Sequence, residues 1–477
     1  MALSALGSRA IALCPSELGD RITAITQQPA FARSRWGILV QSLQPSPTTP
    51  PITLFEQEAT QYFVPASNVK LLTTAAALAY LGPSFRVHTT LYLEPPSHPD
   101  QFPDVRVVGQ GDPSLTAASL QSLAQQIREQ NITGINRLIV DDHYFQGRPV
   151  NSTWEWEDVQ AGYGAPANSL ILNQNEMVVY LYPQLPGQPL RLEWANPTDG
   201  AGWQVVNRST TVQTDADGVW VGRDLGQPIL YVDGQLQVGA SRDVSAIAIP
   251  DPTENFGRQL RDALAQAGIS VATVETVSDR PSTPPTGAIA TLPSPLLPEW
   301  LQWANQDSNN LATESLLRQL GAVGRTPNTS GSTLADSLAQ LKRVLQPLGV
   351  DPAGYEIADG SGLSRRNWVS PTTLVQTLQA MAHHPAASVY RQSLAIAATT
   401  GTLQYRFQNT PVAGRLWGKS GGLTGVAALS GYLEPPHYDP MVFSIMVNYS
   451  PQSGRVNRQA IDDMVLAIAQ LQPCADR

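Results

Sequence analysis

Ser67-Asn68-Val69-Lys70 opens a run of good helix formers, LLTTAAALAYL (71–81), which ends before Gly82 and Pro83. The pattern predicts a helix that begins near Ser67. A serine and a lysine three positions apart lie on one helix face, so the lysine amine can reach the serine hydroxyl. The positive end of the helix dipole also favours negative charge that develops there. The stretch predicts either an activated serine nucleophile or a helix cap beside a surface lysine.

The strands predicted around this helix come from both ends of the chain. Segments 36–43 and 52–57 have the pattern of two strands, and 416–423, 426–434 and 441–450 have the pattern of three more. A last helix begins near Val456 with apolar residues along one face. Strands from both ends can share one sheet with helices on its faces. The middle of the chain is then an insertion.

The middle of the chain changes character twice. Strand-like and helix-like segments alternate over about 89–168, short strands and turns fill about 169–245, and a helix returns at about 253–267. The Pro/Thr/Ser-rich stretch 280–298 is typical of a linker. We expect a discontinuous peptidase domain of residues 1–88 and 284–477, an inserted α/β domain of 89–168 and 246–283, and a nested small β domain of 169–245.

Composition excludes several classes of protein. With 477 residues, 42% apolar and only 14% charged, the chain can bury a large core and is not disordered. A net charge of -9 argues against binding to nucleic acid. No apolar run approaches the roughly 18 residues of a transmembrane helix. Only three of the 30 basic residues are lysines, Lys70, Lys342 and Lys419, so each is a candidate for chemistry that arginine cannot perform.

The two cysteines, Cys14 and Cys474, lie near opposite ends of the chain. They cannot form a metal site by themselves, and the six histidines show no ligand spacing beside them, so we expect no metal. Because domain termini often lie close together, we expect a disulfide and an oxidising compartment, the alternative being two unrelated thiols. The N-terminal stretch MALSALGSRAIALC (1–14), with Arg9 in its middle, does not match a typical signal peptide.

Two further short motifs lie far along the chain. Ser308-Asn309-Asn310 precedes a helical stretch, and Lys419-Ser420-Gly421 lies on a predicted strand. Alone, the first is typical of a helix cap and the second of an ordinary edge strand. The segment GKSGG (418–422) also fits a nucleophile elbow, but no helix follows and only His437 is available as a partner. A phosphate-binding loop is excluded because Ala413 stands where that motif needs glycine.

In the order S-x-x-K, S-x-N, K-S-G, the three motifs resemble those of the penicillin-binding, active-site-serine peptidases, a group that includes β-lactamases. Ser67 and Ser308 are much farther apart than in a β-lactamase, and the chain is similar to the class C low-molecular-mass D-Ala-D-Ala carboxypeptidases and endopeptidases, peptidase family S13. Further stretches that resemble this family are GQGDPSL (109–115), DDHYF (141–145), YGAPANSLILNQNE (163–176), DGSGLSRRNWVSP (359–371) and GTLQYRF (401–407).

The resemblance implies an α/β (α+β) fold of the penicillin-binding or serine β-lactamase-like type, with an antiparallel sheet flanked by helices and two inserted domains. It also implies acyl transfer through a covalent acyl-serine, without a cofactor. The expected partners are peptidoglycan stem peptides ending in D-Ala-D-Ala, with β-lactam antibiotics as inhibitors. The expected location is outside the bacterial cytoplasm, with a signal peptide that is absent, atypical or already removed.

Roles for the motif residues follow from the resemblance. Ser67 would attack the peptide carbonyl and Lys70 would be the base, its pKa lowered from about 10.4 by the nearby Lys419 cation and by the helix dipole. Ser308 would relay a proton to the leaving amine, and Asn310 would hold the Lys70 amine or the substrate amide.

The remaining motif residues would bind the substrate. Lys419 and Ser420 would hold its terminal carboxylate or orient Ser308. The backbone N–H groups of Ser67 and of Gly422, which follows Gly421, would form the oxyanion hole.

A recognition pocket is implied in the inserted region. Asp158, in the stretch WEWED (154–158), resembles an acidic residue that receives the free amine of a diaminopimelate side chain. Tyr163, Leu363 and Leu423 would form apolar walls. The alternative for Asp158 is an ordinary surface acid.

Two rival functions are weighed against the carboxypeptidase. A β-lactamase needs a group that drives hydrolysis of the acyl-enzyme, and no glutamate is convincingly placed for that task. A catalytically silent peptidoglycan-binding scaffold is hard to reconcile with three intact motifs.

Overall fold

The computed structural model describes residues 13–94, 102–278, 285–325 and 331–474. Its helices are α1 (Leu18–Thr26), α2 (Val69–Leu81), α3 (Ala117–Glu129), α4 (Pro252–Gln266), α5 (Leu297–Asn305), α6 (Asn310–Ala322), α7 (Thr333–Leu345), α8 (Pro371–Ala382), α9 (Ala387–Gln392) and α10 (Gly454–Ala469).

The strands are β1 (Arg35–Ser42), β2 (Thr53–Gln57), β3 (His88–Glu94), β4 (Asp104–Val108), β5 (Gly134–Asp141), β6 (Glu176–Tyr182), β7 (Arg191–Trp194), β8 (Gln204–Asn207), β9 (Thr210–Val212), β10 (Gly218–Arg223), β11 (Ile229–Gln237), β12 (Asp243–Ala248), β13 (Ser270–Val277), β14 (Ala288–Pro293), β15 (Tyr355–Glu356), β16 (Trp368–Val369), β17 (Ala395–Ile396), β18 (Leu416–Leu423), β19 (Val426–Leu433) and β20 (Met441–Asn448).

The described residues form two compact units. The first contains the residues up to Ser84, the segment Leu297–Asn309 and the residues from Leu338 onward. The second contains Phe85–Leu296 and Asn310–Ser337. The chain thus leaves the first unit once for a long insertion and again for a short one that contains α6.

The first unit is built on a six-stranded antiparallel sheet in the order β17-β18-β19-β20-β1-β2. Strand β1, from the start of the chain, pairs along its full length with β20, from near the end. The prediction that strands from both ends share one sheet is confirmed, and so is the fold class.

Helices cover both faces of this sheet, since β19 and β20 are buried at every position. Alternate side chains such as Leu429 and Ile445 enter a core with α1 and α10. Neighbouring residues point to the other face, where the Tyr432 hydroxyl donates to the carbonyl of Leu378 in α8. A sheet buried on both sides gives the site a rigid base.

The two ends of the described chain meet in the first unit. Leu13 and Leu471 form an isolated parallel β-bridge. Next to it, Cys14 and Cys474 are joined by a disulfide with their Cα atoms 5.6 Å apart. This is the pairing that the sequence predicts.

The second unit contains a five-stranded sheet in the order β13-β5-β4-β3-β14. Helices α3 and α4 pack against it through a common apolar core, which includes Leu123 and Leu260. The prediction of a linker at 280–298 is wrong for much of the described part of that stretch. Ala288–Pro293 forms β14, which pairs with β3. Its Pro and Thr content concealed an alternating strand pattern. Residues 280–284 of that stretch lie outside the described residues.

The short strands expected over 169–245 form two small sheets, β12-β6-β7 and β10-β11-β8, with β9 also pairing with β11. They share a separate apolar core that includes Val179 and Val232. The nested β domain stays a prediction that this second core supports. The short insertion Asn310–Ser337 differs from the expected boundaries, which assigned it to the peptidase domain.

Candidate active site

Ser67 and Lys70 lie at the start of α2. Ser67 belongs to a 3-10 turn, Ala66–Asn68, and α2 begins at Val69, two residues later than the sequence pattern suggests. The Nζ of Lys70 donates a hydrogen bond to the Oγ of Ser67 at 3.0 Å. Lys70 is fully buried. A surface lysine beside a cap is therefore not what the structure contains.

Helix α2 is held from several sides because it is buried almost all round. Every residue from Val69 to Leu78 is buried, polar ones included. The Nδ2 of Asn68, between the motif serine and lysine, donates to the Oγ of Ser430 on β19 at 2.8 Å. The hydroxyl of Thr73 donates to the carbonyl of Gly360 at 2.9 Å. These contacts fix the position of the turn that carries Ser67.

A loop folded around Asp359 supplies the second partner of Lys70. The Asp359 carboxylate is fully buried and accepts hydrogen bonds from the backbone N–H groups of Gly362 and Ser364, at 2.8 and 2.7 Å. The Nδ2 of Asn367 also donates to it, at 2.6 Å. This cluster presents the carbonyl of Ser361 to the Nζ of Lys70. The Nζ of Lys70 is therefore held between that carbonyl and the Ser67 hydroxyl, with a hydrogen bond to each.

The third motif lies on β18. The Nζ of Lys419 donates to the Oγ of Ser308 at 2.9 Å and to the carbonyl of Ser420 at 2.8 Å. Lys419 is fully buried, and this burial lowers its pKa well below the usual 10.5, with the charge of Lys70 as a second cause. The hydroxyl of Ser420 contacts that of Thr402 at 2.8 Å. Two buried lysines thus each serve one motif serine.

Gly421 lets β18 approach the turn that carries the nucleophile. A Cβ at this position would lie 2.8 Å from the carbonyl oxygen of Pro65 and 3.0 Å from the backbone nitrogen of Ser67. At Gly422 a Cβ would meet no atom within 4 Å. The short strand β17 pairs only with Trp417 and Gly418, so it does not cover β18 beyond Gly418. That uncovered edge lies beside the backbone N–H of Ser67.

The second motif lies between α5 and α6. Ser308 has a positive φ of 57°, which is rare for a residue other than glycine or asparagine, and the N–H of Asn309 donates to the carbonyl of Trp303 at 2.9 Å. This turn points the Ser308 hydroxyl at Lys419. Asn310 begins α6 in the second unit, where its Nδ2 donates to the carbonyl of Tyr163 at 2.8 Å. Its expected role toward Lys70 stays a prediction.

Asp158 and Tyr163 meet in the second unit. The Tyr163 hydroxyl donates to Oδ1 of Asp158 at 3.0 Å. Burial, together with the Asp158 charge, raises the pKa of Tyr163 to about 12, although its side chain is still half exposed. In the first unit, Leu363 is buried in the Asp359 loop and Leu423 is half-buried at the end of β18. Their expected contacts with substrate stay predictions.

The structure brings together Ser67, Lys70, Ser308, Lys419 and Ser420, which sequence reasoning selected. It adds groups that were missed: the Ser361 carbonyl, the Asp359 carboxylate and the Thr402 hydroxyl. Both stretches that hold them, 359–371 and 401–407, were noticed as similar to the family. A backbone carbonyl or a buried acid that holds a loop in place has no characteristic sequence spacing, so the sequence alone could not assign these groups a role.

Neither a metal-binding cluster nor a membrane-spanning helix is found in the described part of the chain. It contains no group of three or more His, Cys, Asp or Glu side chains that could hold a metal ion. No helix within it is both long and apolar enough to cross a membrane.

A nucleophilic serine at a helix start, a buried lysine in contact with it, and a K-S-G strand at its side define an active-site-serine enzyme of the penicillin-binding class. The particular family follows from the whole sequence. Residues 18–471 match the model of the D-Ala-D-Ala carboxypeptidase 3 (S13) family, and the chain belongs to it.

Relatives with similar sequences cover most of the chain. A penicillin-sensitive carboxypeptidase A of Dictyostelium discoideum is 27% identical over 92% of this chain and 87% of its own length. A D-alanyl-D-alanine carboxypeptidase of Actinomadura sp. strain R39 is 29% identical over 91% of this chain and 81% of its own length. The protein is therefore a serine-type D-Ala-D-Ala carboxypeptidase, as the sequence predicts, and the two rival functions are not favoured.

Solved structures share the fold. Penicillin-binding protein 4 of Haemophilus influenzae superposes with a TM-score of 0.77 at 22% identity, covering 94% of this chain and 98% of that one. A predatory peptidoglycan endopeptidase from Bdellovibrio bacteriovorus gives a TM-score of 0.52 at 17% identity, covering 93% and 95%. At these identities the similarity establishes the architecture alone.

Proposed function

We propose that the protein hydrolyses the bond between the two terminal D-Ala residues of peptidoglycan stem peptides through an acyl-enzyme on Ser67. The observation that carries this proposal is the 3.0 Å hydrogen bond between Lys70 and Ser67, made by a fully buried amine at a helix start. Burial and a second buried lysine nearby both disfavour the charged form of a lysine, which supports Lys70 as the base.

In the first step, neutral Lys70 takes the proton of the Ser67 hydroxyl while Oγ bonds to the carbonyl carbon of the penultimate D-Ala. The resulting oxyanion accepts hydrogen bonds from the backbone N–H groups of Ser67 and Gly422. The proximity of the β18 edge to Ser67, which Gly421 permits, supports this assignment.

Collapse of the intermediate breaks the C–N bond, and the leaving amine of the terminal D-Ala takes, through Ser308, the proton that Lys70 received from Ser67. The hydrogen bond from the Nζ of Lys419 to the Oγ of Ser308, at 2.9 Å, supports this relay. Lys419 and Ser420 bind the terminal carboxylate of the substrate. Water then attacks the acyl-serine and regenerates Ser67, which completes a carboxypeptidase cycle; a cross-linked peptide as leaving group makes the same cycle an endopeptidase reaction.

Side chains outside the serine–lysine pairs determine substrate choice beyond the D-Ala residues. Asp158 receives the free amine of a diaminopimelate side chain, and Tyr163, which donates to its carboxylate, orients it. Asn310 binds the substrate amide or the Lys70 amine, and Leu363 and Leu423 supply apolar contacts. A location outside the cytoplasm is supported by the disulfide between Cys14 and Cys474.

Labelled penicillin tests the nucleophile. The protein should become acylated, and Ser67→Ala should abolish the label, whereas Ser16→Ala, which alters an exposed serine, should not. Label that persists on Ser67→Ala would refute the assignment. Mass spectrometry of muropeptides digested by the pure protein then tests the substrate: loss of a single D-Ala supports the proposal, and unchanged stem peptides oppose it.

A further inference from the structure

A cavity of about 610 Å³ lies in the β-rich part of the second unit, and none of its lining residues belongs to the machinery described above. Its lining comes from four places: Met177 on β6, the turn that follows β7, the end of β10 with the turn to β11, and the segment that leads from β12 into α4. The volume falls in the range of roughly 300–1,000 Å³ that small-molecule sites occupy.

An aromatic ring forms part of the lining. Trp203 is half-buried and packs against Trp194, with the ring centres 6.2 Å apart and the planes inclined at 47°. Both indoles also contact the apolar core of the small sheets. The ring is therefore held in one orientation, which suits stacking with an apolar face of a ligand.

A buried cation with unused donors also lines the cavity. Arg223 is only 9% exposed, and its guanidinium donates to the carbonyls of Ala248, Asp224 and Val159 at 2.9, 3.1 and 3.4 Å. A guanidinium has five N–H donors. Within the described residues no carboxylate forms an ion pair with it, so two donors remain for an acceptor on a ligand.

Acceptors are grouped around the same cavity. Asp224 and Asp251 each use one carboxylate oxygen to bind nearby backbone N–H groups, and Asp199 uses one to bind an asparagine amide. Among the described residues the second oxygen of each has no hydrogen-bond donor, and neither oxygen of Glu254 has one. Burial raises the pKa of Asp199, which is consistent with a carboxyl that faces a partly dehydrated space.

These groups select a neutral, hydroxyl-rich ligand. The four acids outnumber Arg223 and Arg258 in the lining, so entry of an anionic group into the cavity is disfavoured, while an organic cation would meet the two guanidinium groups. A sugar ring offers hydroxyls that donate to carboxylates, a C–H face that stacks on Trp203, and, when N-acetylated, a carbonyl that accepts from Arg223.

We propose that this cavity binds an N-acetylated amino-sugar ring of the peptidoglycan glycan strand, so that the enzyme holds the polymer while the serine site cleaves its peptides. The choice of glycan rests on the proposed function, since the stem peptides are attached to such a strand. The site itself rests on the geometry of Trp203, Arg223 and the four carboxyl groups.

Isothermal titration of the full chain with peptide-free peptidoglycan glycan strands tests the binding. Saturable binding is expected, weakened at least about tenfold in Trp203→Ala and in Glu254→Ala. Glu254→Ala alters an exposed side chain, so it should fold normally and test the cavity even if Trp203→Ala misfolds. Trp220→Ala, which removes an exposed tryptophan of β10 outside the cavity, should bind as the unaltered protein does. N-acetylglucosamine oligosaccharides should compete with the strands.

Absence of strand binding overturns the proposal, as does equal binding by Trp203→Ala, Glu254→Ala and Trp220→Ala. Binding of the oligosaccharides without the strands overturns it too, because the source would then be another glycan. The Ser67→Ala variant separates this proposal from the proposed function: it should lose penicillin labelling and keep strand binding. Conversely, Trp203→Ala should cleave a short soluble D-Ala-D-Ala peptide normally but release D-Ala more slowly from intact peptidoglycan.

Discussion

Lys419 donates a hydrogen bond to the Oγ of Ser308 at 2.9 Å, and the two residues come from motifs more than 100 positions apart. Lys70 makes the equivalent contact with Ser67 at 3.0 Å. The site is therefore a pair of lysine–serine units, both lysines fully buried. Because two buried cations repel each other, protonation of one opposes protonation of the other. This coupling links the lysine that we propose as the base to the lysine that we propose binds the substrate carboxylate.

Replacement of Lys70 by arginine tests the role of the base. Arginine keeps the positive charge but cannot lose its proton, so Lys70→Arg should acylate with labelled penicillin at least about 100-fold more slowly. The matched control is Lys342→Arg, which alters a partly exposed lysine that pairs with Glu356. The control should acylate normally. A Lys70→Arg protein that retains more than about a tenth of the rate would contradict general-base catalysis by Lys70.

The buried Lys419 should leave a signature in stability against pH. Burial holds its pKa well below 10.5, so between that lowered pKa and 10.5 the unfolded chain binds more protons than the folded protein. The free energy of unfolding contributed by Lys419 therefore rises with pH across this window. Lys419→Met, which has no titrating group, should lack this rise. Urea unfolding of both proteins over a pH series measures it, and identical slopes would contradict the lowered pKa.

Gly421 should be intolerant of a side chain. A Cβ there would approach the Pro65 carbonyl to 2.8 Å, so Gly421→Ala should push β18 away from Ser67. A displacement near 1 Å lowers the acylation rate by about 100-fold. Gly19→Ala is the control, because a Cβ at that position makes only an ordinary contact, 3.5 Å, with Phe55. Normal acylation by Gly421→Ala would mean that this close approach does not position the site.

Much of the fold around the site could be predicted from the sequence because strong local patterns carry it. The helix after Ser67 and the strands at both ends have clear periodicity and turn residues, and the structure pairs β1 with β20 as expected. The strand β14 was missed because Pro and Thr residues resemble a linker until a partner strand is known. Its pairing with β3 is a long-range contact that no local pattern contains.

The same division applies to the site. Side chains with distinctive chemistry, such as Ser67, Lys70 and Lys419, could be selected because they belong to three short motifs in one order, and the rarity of lysine makes those motifs easy to see. The burial of Lys70 could not, since it depends on the loop around Asp359 folding over α2. Reactive side chains can therefore be recognised in a sequence more readily than the backbone atoms that position them.

The disulfide predicts a dependence of stability on oxidation. Cys14 and Cys474 tie the two ends of the described chain together beside the Leu13–Leu471 bridge. The double variant Cys14→Ser/Cys474→Ser should lose about 2–4 kcal/mol of unfolding free energy. Its acylation at low temperature should be unchanged, because the described residues around the bridge, 15–17, 436–439 and 473, include none of the site. Non-reducing peptide mapping checks the pairing directly, and two free thiols in protein folded under oxidising conditions would refute it.

Asp359 offers the sharpest test of the loop that aims Lys70. Its carboxylate accepts from the N–H groups of Gly362 and Ser364 and from the Asn367 amide, and Asp359→Asn would replace one acceptor oxygen by a donor. One buried donor left unpaired costs about 1–3 kcal/mol. We expect the Ser361 carbonyl to shift and acylation to fall by at least about tenfold, since Lys70 loses its second anchor.

Asp351→Asn is the matched control, because among the described residues the Asp351 carboxylate accepts a single, exposed hydrogen bond, from the N–H of Ala353 at a short turn. Thermal unfolding and penicillin acylation, measured on both variants, distinguish an effect on stability from an effect on the position of Lys70. A large loss of stability in Asp359→Asn with normal acylation at low temperature would show that the loop supports the fold without positioning Lys70. Loss of acylation in a variant that still unfolds cooperatively places Asp359 among the residues that position the base.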